Sequence, residues 1–130
     1  MSQRSLDETS GPWSGFWVQE NIRGTMRVQL DLRAGIIVGS GSDMSGRFEM
    51  VGSYSTNGEV TIRKTYCSTS VALGAAPCLD YRGSWTGTFV HGEWSQMPEA
   101  FNHGIFELWP DDEAEQIVSE QMIRELSIRL

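Results

Sequence analysis

The stretch Ile36-Ile37-Val38-Gly39-Ser40-Gly41-Ser42-Asp43-Met44-Ser45-Gly46-Arg47-Phe48-Glu49-Met50-Val51-Gly52-Ser53-Tyr54 decides how the chain is read. Apolar residues fall on alternate positions either side of a glycine-bearing turn, the pattern two antiparallel strands require. Asp43-Met44-Ser45-Gly46 is the turn, so the strands are predicted at 36–41 and 47–54. Similar pairs come before and after, and the chain reads as a run of hairpins.

Working outward, Thr25 to Arg33 gives the cleanest alternation. Met26, Val28, Leu30 and Leu32 point one way, and Arg27, Gln29, Asp31 and Arg33 the other. A slip of one residue would put four large apolar groups in water, so this register is predicted to be firm. Ala34-Gly35 turns the chain into the next strand, and Asn57-Gly58 tolerates the positive φ of a hairpin turn. Further strands are predicted at 11–20, 59–66, 79–85, 88–94 and 104–109, with a turn over residues 21–24 after the first. Residues 1–10 are polar and predicted to be a loose tail.

The segment 111–130 differs in kind. Ala114, Val118, Met122, Leu126 and Leu130 recur every fourth residue, and Glu120 with Arg124 and Glu125 with Arg129 make (i, i+4) pairs. An amphipathic helix is predicted there. The expected fold is therefore all-β: an antiparallel up-and-down meander barrel of about eight strands over 11–110, followed by a C-terminal α-helix. Closure into a barrel removes the bare edges such a meander otherwise leaves.

Composition narrows the partners. At 130 residues the chain is long enough for one core, and its formal net charge is −7 with the basic residues scattered. A nucleic-acid footprint needs clustered Lys and Arg, and an anionic membrane surface needs the same, so neither partner is expected. The opening residues have no apolar core and no apolar run is long enough to cross a bilayer, so a cytoplasmic location is the default expectation. Cys67 and Cys78 bracket a ten-residue loop. A disulfide between them would add roughly 2–3 kcal/mol, whereas a reducing compartment keeps them as thiols. They are too few for a zinc site, and no metal or cofactor is expected.

Gly11-Pro12-Trp13 at the start of the first strand resembles the G-x-W with which the calycin-type barrels, the lipocalins and avidin-like proteins, begin. Leu79-Asp80-Tyr81 is similar to the T-D-Y element of lipocalins, with Leu in place of Thr. Trp13-Ser-Gly-Phe-Trp17 followed by Gly24-Thr-Met26 is similar to the avidin opening. The arginine that a lipocalin carries on its last strand to stack on the first tryptophan is absent between Ile105 and Pro110. The resemblance implies a cup-shaped barrel able to hold a small apolar ligand.

Chemistry-bearing motifs are sparse. Gly39 to Gly46 lacks the Gly-Lys-Ser/Thr ending of a phosphate loop and leads into a strand, so it reads as a hairpin. His91 and Glu93 share one face of a strand, and the solvent face is favoured over an interior acid–base pair. Lys64 and Tyr66 continue the apolar face of Val60 and Ile62, and Tyr81 and Trp85 that of Leu79. With Trp17 and Tyr54 they form the expected ligand-binding set, a cation and phenols suited to an anionic headgroup or a carbonyl. The competing expectation is that Lys64 snorkels to the rim. The leading expectation is a non-enzymatic binding module with a cavity lined by Met26, Val28, Leu30, Phe48, Met50, Val60 and Ile62. A filled barrel that contacts a protein partner or a second copy through the 111–130 helix is the first alternative. An isomerase- or cyclase-like enzyme with interior polar groups is the second.

Overall fold

A computed structural model describes residues 4–67, 78–97 and 102–111. Eight antiparallel strands follow one another around a closed barrel. They are β1 (Gly11–Gln19), β2 (Ile22–Arg33), β3 (Ile36–Asp43), β4 (Gly46–Tyr54), β5 (Glu59–Tyr66), β6 (Cys78–Trp85), β7 (Val90–Met97) and β8 (His103–Pro110). Each pairs with its neighbours in sequence, and the ladder from Trp13↔Pro110 to Val18↔Ile105 joins β1 to β8. The predicted 111–130 helix lies outside the described residues apart from Asp111, as does the loop between the cysteines.

The pleat sorts the side chains as the alternation requires. In β2 Met26, Val28, Leu30 and Leu32 are buried while Arg27, Gln29, Asp31 and Arg33 are exposed. β5 alternates along its whole length, with Val60, Ile62, Lys64 and Tyr66 inside. Ala34 and Gly35 take φ of 54° and 80°, the paired left-handed conformation whose twist suits a two-residue hairpin. His91 and Glu93 face solvent, while Val90 and Trp94 turn inward.

Three strands have boundaries that differ from the sequence reading by more than one residue. β2 begins at Ile22, because Glu20 with φ 53° and Asn21 complete the turn alone. β7 begins at Val90 rather than Thr88 and runs on to Met97. β3 runs on to Asp43, past the glycine-serine alternation expected to end it. Its glycines carry the inward parity: a Cβ on Gly41 would lie 2.1 Å from the Arg27 carbonyl oxygen, so only glycine lets β3 close onto β2 there. Asp43 is thereby a strand residue paired with Met26 and facing the interior.

Residues 4–10, expected to be part of a loose tail, lie against the barrel. Leu6–Glu8 form a 3-10 turn opened by a capping box between Ser5 and Glu8. Leu6 is buried in the core cluster, Arg4 N–H donates to Gly87 O, and Ser10 Oγ is bonded to Leu32. Trp13 and Trp85 pack at 5.8 Å and send their indole N–H groups to Thr9 O and Arg4 O. The segment closes the barrel end carrying the 34–35, 55–58 and 86–89 turns. The apolar side chain of Leu6 and the two indole donors explain why this polar-looking stretch stays in place.

Candidate functional site

The opposite end, the mouth of the barrel, carries the turns at Glu20 and Met44. Within the mouth lies a cavity of about 160 Å³, lined by Trp17, Gln19, Ser45, Tyr66, Leu79, Tyr81, Trp94 and Gln96. A larger hollow of about 720 Å³ runs over β2, β3 and β4 beside Gln29, Asp31, Ser40 and Glu49. These four side chains belong to the outer face of the barrel, so that hollow is a surface trough. The smaller cavity is the better candidate site because its walls are interior side chains.

Its floor is a polar network in an apolar core. Lys64 on β5 is wholly buried. Its Nζ donates to Asp43 Oδ2 at 2.6 Å, to the Tyr81 hydroxyl oxygen at 3.2 Å and to Met26 Sδ at 3.8 Å, using its three hydrogens. The rings of Phe48, Tyr66 and Tyr81 surround it with centroids 4.3, 4.9 and 5.4 Å away, an arrangement that favours a cation. The Asp43 side chain is equally sealed from solvent. Its Oδ2 also accepts from the Tyr66 hydroxyl at 2.5 Å, and its Oδ1 accepts from the Ser45 N–H at 2.8 Å. A buried carboxylate and a buried ammonium thus cancel, each with its hydrogen-bonding capacity taken up, which is what makes their burial tolerable.

Burial governs the titration of this network. It lowers Lys64 below the usual ammonium value, with Asp43 opposing. It pushes Tyr66 and Tyr81 well above the usual phenol value, with the Asp43 charge acting in the same sense. Both phenols therefore stay protonated at neutral pH.

Aromatic rings form the walls. Trp17 and Trp94 meet edge to face, with centroids 6.3 Å apart and planes at 78°. The Trp94 N–H donates to Val18 O at 3.1 Å. The Trp17 indole lies over Gly24, and its N–H is buried with no partner among the described residues. Tyr81 is similar: its oxygen accepts from Lys64, and no acceptor for its own hydrogen stands among the described residues. Across the rim Gln19 Nε2 donates to Asn102 Oδ1 at 3.0 Å and Asn102 Nδ2 to Gln96 Oε1 at 2.5 Å.

Of the six residues expected to bind a ligand, the structure brings together Lys64, Tyr66, Tyr81 and Trp17. Lys64 lies beneath the cavity, and neither the rim position nor a free charge describes it. Tyr54 and Trp85 are at the closed end, where the Tyr54 hydroxyl is bonded to Asp7 and Trp85 to Arg4. They do not belong to this site. The seven residues expected to line the cavity are 0–4 % exposed and pack into one cluster below it. Asp43 was missed; the inward parity shared by Ile37, Gly39, Gly41 and Asp43 is the signal that would have found it. Cys67 and Cys78 are half-buried thiols at the mouth, and Cys78 pairs across the ladder with Thr65.

No family model matches the chain, and no curated protein matches it. Among the described residues, no helix is long and apolar enough to cross a membrane.

Proposed function

We propose that the barrel is a non-enzymatic binding module that takes a small molecule into the cavity at its mouth. The observation that carries this reading is a cavity at the mouth walled by the aromatic side chains of Trp17, Tyr66, Tyr81 and Trp94. Calycin-like kinship fits the same reading: an eight-stranded antiparallel barrel whose strands follow one another in sequence. Catalysis by Lys64 is disfavoured, because its nitrogen is covered by tyrosine rings and bound to Asp43. The two thiols suit a reducing, cytoplasmic setting.

The test is a ¹⁵N–¹H correlation spectrum of the full chain titrated with benzene, a ring that matches the cavity in size. Shifts confined to Trp17, Leu79, Tyr81 and Trp94, and abolished by Leu79→Phe without loss of thermal stability, are the expected result. An unchanged spectrum, or shifts centred on the outer trough, would overturn the reading.

A further inference from the structure

We infer that the trough on the outer face of the barrel is a docking surface for the chain's own segment 112–130, laid across β2 and β3 as an amphipathic helix. The occupant is this segment, neither a second copy nor another protein.

The point at which the chain leaves the barrel selects the occupant. β8 brings Pro110 beside Trp13, and the next residue, Asp111, accepts from the outward-facing Ser14 Oγ at 2.6 Å. Asp111 lines a hollow of about 290 Å³ together with Arg27, Gln29 and Ser40. Gln29 and Ser40 also line the trough of about 720 Å³, so the trough begins where the segment begins. β3 stands two strand spacings from β1, roughly 10 Å, and a helix rises about 1.5 Å per residue. Ile117 and Val118 therefore come level with β3. A tethered segment competes at an effective concentration on the order of millimolar, ahead of a free partner.

The surface suits a helix. Gly39 and Gly41 point inward and Ser40 and Ser42 outward, so β3 is a thin floor. Ser40 stands in one cross-strand row between the longer side chains of Gln29 on β2 and Glu49 on β4. Along β3 the floor turns apolar at Val38 and Ile36, which are 51 % and 56 % exposed. The stripe of Ala114, Val118, Met122 and Leu126, with Ile117 beside it, would leave water on contact with them. Charge agrees at the near end: Asp112, Glu113 and Glu115 follow Asp111, and Arg27 makes no ion pair among the described residues. Such exposed charges set the direction of the helix more than its affinity.

The test uses the full chain with ¹³C-labelled methyl groups on Ile, Leu, Val and Met. Nuclear Overhauser contacts are expected between the methyls of Val38 and those of Val118 or Met122. Val38→Glu and Ile105→Glu form a matched pair, each placing a carboxylate at an exposed outer position opposite an acidic neighbour, Asp31 or Glu93. Val38→Glu is expected to abolish the contacts and to speed amide exchange over 117–126 by about tenfold or more, with the barrel amides still protected. Ile105→Glu, on the opposite wall, should change neither. If Val38→Glu loosens the barrel as well, the contacts in the unaltered chain decide. A sample half labelled and half unlabelled separates the occupants. Contacts between molecules would give the trough to a second copy and overturn the inference. So would protection over 117–126 that survives Val38→Glu. Unprotected amides throughout 112–130 of the unaltered chain would overturn it too, and leave the trough open to another protein.

Discussion

Lys64 and Asp43 set the energetics of the site because neither can be lost alone. Removing one member of a buried ion pair leaves the other uncompensated, at a cost of about 3–5 kcal/mol. Asp43→Ala also deprives Tyr66 O–H and Ser45 N–H of their acceptor. Asp43→Ala is therefore expected to lower the urea unfolding free energy by about 4 kcal/mol. Adding Lys64→Met should recover at least about 1 kcal/mol of that loss, since a methionine needs no counter-charge. Strictly additive losses would show that the two charges are not coupled. Tyr81 supplies a pH signature. Its raised value means that the folded chain keeps a proton which the unfolded chain loses above its ordinary value of 10.0. The folded state then binds more protons, so this contribution is complete below pH 10 and shrinks as pH rises, by about 1.4 kcal/mol per unit. Lys64, lowered by burial, acts in the opposite sense and only up to its ordinary 10.5. Between pH 10.5 and 11.5, Tyr81→Phe should accordingly lose about 1.4 kcal/mol less stability than the unaltered chain. Parallel losses in the two proteins would mean that Tyr81 ionises freely in the fold.

At the scale of elements, the pleat told which face a residue takes but not its height along the barrel axis. β5 was legible to the residue, because an alternating β-branched strand has one register that keeps Val60 and Ile62 dry. β5 and β6 run antiparallel, with Lys64 opposite Leu79 and Val60 opposite Gly83. Tyr66 therefore rises to the mouth while Trp85 descends to the closed end, which is why the expected site divided in two. Asp43 stayed hidden because glycine and serine spell a turn as readily as a strand pressed against its neighbour. The N-terminal closure was hidden for another reason: one leucine and backbone carbonyls that accept from indoles leave no periodic pattern. Leu6→Ala tests that closure. Truncating a buried leucine costs about 2–3 kcal/mol and lets water reach the ring pair of Trp13 and Trp85. The expected outcome is that loss in denaturant titration with a red-shifted tryptophan emission, while the Trp17 and Trp94 indole signals at the far end stay in place. An unchanged stability would return residues 4–10 to the status of a tail.

At the scale of the molecule, closure is what gives the chain a mouth at all. The β1–β8 seam joins Trp13 to Pro110, residues from the two extremes of the strand sequence, so closing it carries the largest loop-closure cost of any pairing in the sheet. The seam tolerates no added volume: a Cβ at Gly15 would meet the Glu107 carbonyl oxygen at 2.1 Å and Leu108 Cδ2 at 2.8 Å. Because a carbonyl in a ladder cannot step aside without breaking its hydrogen bonds, Gly15→Ala forces the two strands apart and costs about 3 kcal/mol. The opened seam exposes two strand edges, each a template for another chain. Hydrogen exchange should then accelerate in β1 and β8 while the β4–β5 amides keep their protection. Light scattering should show dimers or larger species that the unaltered chain lacks. Val51→Ala, which trims a side chain that is 58 % exposed on the far wall, serves as the control and should change neither quantity. A monomeric Gly15→Ala protein with uniform protection would mean that the barrel holds its shape without that seam, and the cavity would owe nothing to closure.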